Sequence, residues 1–474
     1  MTHLPRRSFI SAGTMAGLGT LAGLSACRNR YEDSRPRSLR NHPLDGVTRE
    51  NIKITDLKVT LLSYELPPEQ QWYLDWIPER YKCWKTDSIL VEVFTDAGIK
   101  GIGGATQYGG PDVVKQYLEN TIRPAIVGKN PFDLEFLTCG VKVRGPMVGW
   151  AGVDAALWDI IGKAKGKPVY EFLATDHAPQ RKVPVYASAG EMYEGDTWPD
   201  NLVEEALKLR NKGFKAYKFR PGTYWSVSGM TMSKYIEGVW EIRDAVGPDF
   251  GLIQECNGLW NMDQTMQFIP EAEKMKLIWM EDPLGERGPH ARENYRTIKA
   301  ALSRVKLSYG GDIADNRSDY KEWIDCNAMD IVQPDAGVMG LTEAWYVSRM
   351  AHLQGQLCAP HNWHDALLTA ANGTVAAGIP NLIMLETNQT LNPLRTELFK
   401  EPLVPRAGYL ELPQKPGLGV EVIDDAEKRF PFIPGRYDMP RPISGTVTQP
   451  RNPGSSQRTS GFPETPRVES EFRG

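Results

Sequence analysis

The chain has few cysteines, almost no net charge and no apolar run of membrane-spanning length. Six cysteines over 474 residues are too few for a disulfide framework. The 59 acidic and 55 basic residues nearly cancel, so no nucleic acid partner is expected. An apolar fraction of 41% excludes a wholly disordered chain. The composition therefore indicates a soluble, globular protein, long enough for two or three domains.

The first residues are typical of an export signal. Arg6 and Arg7 precede a weakly apolar, Gly-rich segment that ends in Leu24-Ser-Ala-Cys27. The paired arginines resemble a twin-arginine signal, and Leu-Ser-Ala-Cys resembles the site at which bacterial lipoproteins are cut and acylated. We therefore expect residues 1–27 to be a twin-arginine/lipoprotein signal with Cys27 lipidated, although an amphipathic helix packed on the body is the alternative. The protein would be exported and lipid-anchored, periplasmic or in the cell envelope, with the lipid as its one membrane contact.

Two further segments have compositions unsuited to a core. Residues 28–50 are polar and Arg-rich, and we predict a tether. Residues 436–474 are rich in Pro, Ser, Thr and Gly, with little apolar periodicity. Because this segment cannot bury enough apolar surface to offset its ordering entropy, we predict a disordered tail.

The folded body divides into two patterns. Strand-like segments at 52–64 and 88–95 and helical periodicity over 145–166 predict an α+β domain across 51–180. Across 181–435, short apolar strands ending in polar residues alternate with helix-length stretches, 23 to 37 residues apart. The predicted strand ends are Ala187, Lys218, Glu255, Glu281, Asp312, Asp335, His361 and Glu386.

Eight such units predict an α/β fold: a (β/α) barrel of the TIM type, in a modified form, with an N-terminal α+β capping domain. A doubly wound open sheet is the alternative. It usually carries a Gly-rich phosphate turn, and the sequence has neither G-x-G-x-x-G nor a Walker motif. In barrels the reactive groups lie at the carboxyl ends of the strands, where the charged residues fall here.

Three consecutive predicted strand ends carry carboxylates, Glu255, Glu281 and Asp312. In a confined barrel mouth these charges would repel one another, and a divalent cation would relieve the repulsion. Oxygen ligands without a Cys or His cluster favour Mg²⁺ over Zn²⁺. We therefore expect one Mg²⁺ per subunit, with Asp315 as the alternative third ligand; three separate solvated salt bridges are the competing interpretation.

Cations and a base are predicted at the same mouth. Lys218 and Arg220 are two residues apart on a strand, so their side chains face the same side. An ordinary exposed Lys/Arg strand edge would show the same spacing and is the alternative. His361 beside Asp335 suits a dyad in which the carboxylate orients the imidazole and raises its basicity. His364 is either a substrate ligand or a surface histidine at a helix start.

Five stretches of the chain are specific when taken in order: Gly152-Val-Asp-Ala-Ala-Leu-Trp-Asp159, Trp279-Met-Glu281-Asp-Pro283, Asp330-Ile-Val-Gln-Pro-Asp335, the His361 segment and Pro416-Gly-Leu-Gly-Val420. With them, nearly all of residues 50–430 resembles the enolase superfamily, and within it the mandelate racemase/muconate lactonizing enzyme group. The resemblance implies abstraction of a proton α to a carboxylate, a small carboxylate substrate such as an acid sugar, and a homo-oligomer.

The resemblance also implies roles for the residues at the mouth. Glu255, Glu281 and Asp312 would bind Mg²⁺, and Lys218 would hold the substrate carboxylate. The base would be His361 with Asp335, and Glu386 would hydrogen-bond to the enediolate intermediate.

Two departures from the group shape the expected reaction. In racemases of the group, the resemblance implies a Lys-x-Lys motif whose second Lys is a base opposite the His. This chain has Lys218-Phe-Arg220 instead, and a guanidinium does not act as a base at neutral pH. The metal ligands read Glu-Glu-Asp instead of Asp-Glu-Glu. With one base, we expect a hydro-lyase that dehydrates an acid sugar to a 2-keto-3-deoxy acid, since protonated His361 can protonate the leaving hydroxyl.

Other functions remain open. An epimerase, racemase or cycloisomerase would need Lys218 or His364 as a second base. A glycosidase would need two carboxylates along a groove. A lipoprotein that binds sugar acids without catalysis is the non-enzymatic alternative.

The segment 66–84 is the expected lid over the barrel mouth. Trp72, Trp76 and Tyr81 could stack on a sugar, and Arg80 could meet a second anion. Simple aromatic packing is the competing interpretation.

Overall fold

The computed structural model describes residues 42–73, 82–138, 148–190, 199–220, 230–286, 288–310 and 316–439. Several predictions lie outside these residues: the signal and the lipidated Cys27, most of the tether, the metal ligands Asp312 and Asp315, and the lid residues Trp76, Arg80 and Tyr81. Within the described part of the chain, no helix is long and apolar enough to cross a membrane.

The N-terminal part is an antiparallel sheet with helices on it. Three strands pair in the order β1-β4-β5, and the strand-rich capping domain that the sequence predicts is confirmed. The elements are β1 (Ile54–Glu65), β2 (Trp72–Tyr73), β3 (Lys82–Cys83), β4 (Lys85–Thr95), β5 (Lys100–Ala105), α1 (Pro111–Tyr117), α2 (Arg123–Ile126), α3 (Leu134–Thr138), α4 (Trp150–Lys165) and α5 (Val169–Leu173).

Helix α4 packs on β5 because that strand presents glycines to it. A Cβ at Gly101 would lie 2.1 Å from the Ala156 carbonyl oxygen, and one at Gly103 would lie 2.1 Å from that of Gly152. The absence of side chains at these glycines therefore lets the backbone of β5 contact the backbone of α4. The predicted apolar face of this helix is buried, and so is the rest of Trp150–Gly162, including two aspartates.

The remaining elements alternate strand and helix, as the sequence predicts. They are β6 (Lys182–Ser188), α6 (Asp200–Asn211), β7 (Ala216–Phe219), α7 (Met232–Val246), β8 (Gly251–Glu255), α8 (Met262–Met275), β9 (Trp279–Glu281), α9 (Pro289–Ala301), β10 (Lys306–Tyr309), α10 (Arg317–Asp325), β11 (Ile331–Val332), α11 (Ala336–Met339), α12 (Leu341–Leu353), β12 (Leu357–Cys358), α13 (Ala366–Ala377), β13 (Leu385–Asn388), α14 (Pro393–Thr396), β14 (Tyr409–Glu411), α15 (Ala426–Arg429) and β15 (Asp438–Met439).

The strands β6 to β13 form a ring of parallel strands. Neighbours in sequence are neighbours in the sheet from β6 to β12, and β13 pairs with β6. Leu382, just before β13, forms a parallel bridge to Cys358 in β12, which joins the two ends of the sheet. The predicted (β/α) barrel is confirmed, and the doubly wound alternative is wrong.

The barrel interior has an apolar layer beneath a charged one. Because side chains two apart on a strand face the same side, each apolar interior residue is followed by a polar one nearer the carboxyl end. The apolar layer is Tyr186, Ala216, Ile253, Trp279, Ile331 and Ala359. The polar residues that follow are Ser188, Lys218, Glu255, Glu281, Gln333 and His361.

The segment 430–439, here named the C-terminal strap, returns to the N-terminal part. Its strand β15 pairs with β3, which pairs with β2, in a small antiparallel sheet. Trp84 donates from its backbone nitrogen to the Tyr437 carbonyl at 3.0 Å. The prediction of disorder from residue 436 is therefore wrong for 436–439, because Tyr437 buries its ring among Leu66, Trp72, Cys83 and Trp363. Residues 440–474 lie outside the described residues.

Candidate active site

Three buried carboxylates surround the Lys218 ammonium at the barrel mouth. The Lys218 Nζ lies 2.5 Å from Glu281 Oε1, 2.9 Å from Glu386 Oε1 and 3.3 Å from Glu255 Oε2. Burial alone would lower the pKa of Lys218, but the charges of Glu281 and Glu386 raise it well above its ordinary value. Lys218 is therefore a fixed cation in this structure and a poor proton acceptor.

Glu281 is oriented by one residue of its own strand and by one that follows β11. Its Oε2 accepts from Trp279 Nε1 at 3.0 Å and from Gln333 Nε2 at 2.8 Å. Ser308 Oγ in turn donates to Gln333 Oε1 at 2.7 Å. With Oε2 occupied, Oε1 of Glu281 accepts from Lys218 Nζ. The supporting glutamine was not identified from the sequence, although it lies two residues before Asp335.

The two glutamates fit a divalent cation. Burial and the charge of Glu281 raise the pKa of Glu255 well above its ordinary value, because two anions at this position repel each other. Carboxylate oxygens are the ligands that Mg²⁺ prefers, and a divalent cation between the two side chains would relieve this repulsion. The predicted third ligand, Asp312, and its alternative, Asp315, lie outside the described residues.

The proposed base and its carboxylate lie in loops beyond the strands. Strands β11 and β12 end at Val332 and Cys358, three residues before Asp335 and His361, so the prediction that these two residues end strands is wrong. The two residues nevertheless meet: His361 Nδ1 lies 2.7 Å from Asp335 Oδ2. Burial opposes charge on the imidazole, but Glu386 and Asp335 outweigh it and raise the pKa of His361 to about 9.

His364 shares the carboxylate of Asp335. Its Nε2 lies 2.6 Å from Asp335 Oδ2, and its side chain is only 2% exposed. The interpretation of His364 as a surface histidine is therefore wrong. The sequence offered one signal, the His-x-x-His spacing in the loop before α13.

Arg220 and Glu386 complete the mouth. Arg220 is buried and donates from Nη1 to the Ala189 carbonyl at 2.6 Å, so the exposed-edge alternative is wrong. Glu386 Oε2 accepts from the Asn362 backbone at 3.0 Å and lies 3.7 Å from His361 Nε2. Although burial acts to raise its pKa, Lys218 and His361 lower the pKa of Glu386 well below its ordinary range.

Trp72, the one of the three aromatic candidates for sugar stacking that the structure describes, is packed. It is 3% exposed, and its ring meets that of Trp363 edge-on with centroids 4.6 Å apart. Trp363 in turn lies 5.5 Å from the Arg220 guanidinium. Trp72 thus packs on a residue that contacts Arg220, as the packing interpretation predicts.

Comparison with known families decides the relationship. A family model described as the mandelate racemase/muconate lactonizing enzyme N-terminal domain matches residues 82–174. A second, described as enolase C-terminal domain-like, matches residues 201–426. The chain belongs to the enolase superfamily. Within it, the matched N-terminal domain places the chain in the mandelate racemase/muconate lactonizing enzyme group, and the prediction of an enzyme of this group is confirmed.

Relatives within the superfamily carry names of different activities. The chain is 28% identical over 353 residues to an arabinonate dehydratase of Saccharolobus solfataricus, covering 72% of this chain and 90% of the relative. It is 26% identical over 362 residues to a D-galactarolactone cycloisomerase of Agrobacterium fabrum, covering 72% and 90%. A putative mandelate racemase from Bordetella bronchiseptica, complexed with 2-oxoglutarate/phosphate, superposes with a TM-score of 0.71 at 27% identity, covering 82% of this chain and 100% of that one.

Proposed function

We propose that the protein removes the proton α to the carboxylate of an acid sugar and eliminates the β-hydroxyl, giving a 2-keto-3-deoxy acid. The observation that carries the proposal is that His361 is the one group among the described residues of the mouth suited to accept a proton. Arg220 stays protonated, and Lys218 is held by three carboxylates. The dehydratase names of relatives support the same reaction.

Each residue then has a defined task. Lys218 and Arg220 attract the substrate carboxylate to the mouth, and neutral His361 takes the α-proton while Asp335 fixes its ring. The imidazolium then protonates the departing hydroxyl. Mg²⁺ held by Glu255, Glu281 and a third ligand would stabilise the charge that develops on the substrate carboxylate.

The low pKa of Glu386 favours its anionic form, so Glu386 must change its protonation state before it can donate the inferred hydrogen bond to the enediolate. A carboxylate only accepts hydrogen bonds, and Glu386 must gain a proton before it donates one. Displacement of Lys218 from Glu386 by substrate would remove the main charge that keeps its pKa low.

The test is deuterium incorporation in D₂O across a panel of acid sugars, with and without Mg²⁺. We expect Mg²⁺-dependent exchange at the α-carbon or a 2-keto-3-deoxy product, and loss of both in His361→Asn. An isomerised product without a keto acid would favour a cycloisomerase, the activity named for the relative from Agrobacterium fabrum. Absence of exchange on every acid sugar would favour a binding protein.

We also propose that the enzyme is exported by the twin-arginine route, carries a lipid on Cys27 and works as a homo-oligomer. The first two proposals rest on Arg6-Arg7 and Leu24-Ser-Ala-Cys27. The third rests on the resemblance to the group.

A further inference from the structure

Asp335 accepts hydrogen bonds from two imidazoles on one oxygen. Its Oδ2 lies 2.7 Å from His361 Nδ1 and 2.6 Å from His364 Nε2. Its Oδ1 accepts from Asn372 Nδ2 at 2.9 Å and from the Gly337 backbone at 2.7 Å. The carboxylate of the dyad is therefore fixed by four groups. His361 shares the Oδ2 atom of this carboxylate with His364.

We propose that His364 is a positioning residue that lowers the basicity of His361 through their shared carboxylate oxygen. The inference rests on the proposed function, in which His361 is the base. A hydrogen bond from His364 withdraws charge from Oδ2, so that oxygen stabilises the His361 imidazolium less. The direction is the same for a neutral and a protonated His364. The consequence is a conjugate acid that releases its proton more readily to a leaving hydroxyl.

The surroundings of the two rings separate their tasks. His361 faces Asp335, Glu386 and Lys218, and its side chain is 22% exposed toward the mouth. His364 faces Asp335, and its ring lies 5.4 Å from that of Tyr108 in the capping domain.

His364 has two further charged neighbours. The Asp365 carboxylate acts on it electrostatically, and Arg395 donates to its backbone carbonyl at 2.8 Å. His364 is thus enclosed, and the imidazole open to a substrate is His361.

A transition metal is the competing occupant of this cluster. Ligand atoms of Asp335, His361 and His364 all lie within 4.8 Å of one another. The hydrogen bonds favour the dyad, because both imidazoles aim a nitrogen at the same oxygen and Oδ1 is already held by two donors.

The test is a pH titration of the His361 imidazole by NMR in metal-free, histidine-labelled full-length protein, assigned with His361→Asn among the 7 histidines. His364→Phe keeps a ring and removes the donor. We expect it to raise the pKa of His361 by about half a unit to one unit. His364→Gln places a donor near the same position and should return the pKa close to that of the wild type. His352→Gln, at an exposed site, should leave it unchanged.

Three results would overturn the proposal: no shift in His364→Phe, equal shifts in the Phe and Gln variants, or tight binding of Zn²⁺ that perturbs both imidazoles. If His364→Phe does not fold, His364→Leu, which also lacks a donor, takes its place with the same expected direction. Because the titration needs no substrate, a shifted pKa without deuterium exchange on any acid sugar would contradict only the proposed function. With exchange present, the acid limb of its pH profile should move up in parallel with the measured pKa.

Discussion

Lys218 stabilises the barrel mouth as well as being positioned to attract a substrate. A buried ammonium is costly to desolvate, and this one is tolerated because Glu281, Glu386 and Glu255 surround it. The carboxylates are equally dependent on the ammonium, since they repel one another. In the absence of a bound ion, Lys218 is the principal counter-charge of the mouth.

Replacement of Lys218 by Met should destabilise the metal-free protein by about 3–5 kcal/mol, because it leaves buried carboxylates uncompensated. Mg²⁺ should restore part of this loss, and its stabilising effect should be larger in Lys218→Met than in the wild type. Urea unfolding with and without Mg²⁺ measures both effects. Lys234→Met, at an exposed helix position, is the control. Equal losses in the two variants, insensitive to Mg²⁺, would contradict the charge argument.

His361 should make the stability of the metal-free protein depend on pH. Its pKa rises from 6.5 to about 9 on folding, so the folded state binds its proton more tightly than the unfolded state. The resulting stabilisation, about 3 kcal/mol, is fully present below pH 6.5 and is lost as pH rises through about 9. Unfolding free energies at several pH values should fall over this window in the wild type and less in His361→Asn. A parallel fall in both proteins would show that other groups are responsible.

Residue-level predictions from the sequence succeeded where a strand fixes direction. Lys218 and Arg220 share a side, and Glu255 and Glu281 end adjacent strands, because side chains alternate along a strand. The sharing of Asp335 by two imidazoles was not predictable. Loop residues beyond a strand end have no periodicity, and their contacts depend on tertiary packing.

At the scale of the element, α4 connects strand β5 of the N-terminal sheet with the segment that follows β14. The Asp159 carboxylate accepts from the Ile102 backbone in β5 at 2.9 Å and from the Leu418 backbone at 2.8 Å. Lys163, one turn on, donates to the same carboxylate at 2.6 Å. Asp159 ends one of the stretches that resemble the superfamily, and its contacts are structural. A helical pattern alone would place an aspartate at this position on the solvent side.

Asp159→Ala should cost about 2–4 kcal/mol of unfolding free energy, because it leaves two buried backbone N–H groups without an acceptor. Asp244→Ala, at an exposed position of α7, should have little effect. Urea denaturation compares the two variants. Deuterium exchange per folded molecule should be unchanged in Asp159→Ala, and its loss at full folding would show that the residue also acts on the mouth.

At the scale of the whole molecule, the small net charge of −4 conceals a strong local arrangement. The buried cations and carboxylates of the mouth largely neutralise one another, so the composition carries no sign of them. What composition and spacing did predict is the architecture, because eight strand-and-helix units of regular length favour few other folds.

Cys27→Ser should release the protein from the cell envelope while leaving its catalytic body intact. A single acyl-bearing residue would be its membrane attachment, and serine cannot take the place of the lipid-modified thiol. Fractionation of cells and labelling with a fatty acid analogue measure the result. A variant that remains in the membrane fraction, or a wild type that takes up no label, would contradict the proposed anchor.

The C-terminal strap has a consequence for the synthesis of the protein. Strands β2 and β3 leave the ribosome hundreds of residues before β15, yet β15 completes their sheet. Domains ordinarily fold as they emerge, the N-terminal one first. Here the small sheet whose Trp72 packs on Trp363 is completed only when translation nears its end, so a nascent or prematurely terminated chain lacks the third strand of that sheet.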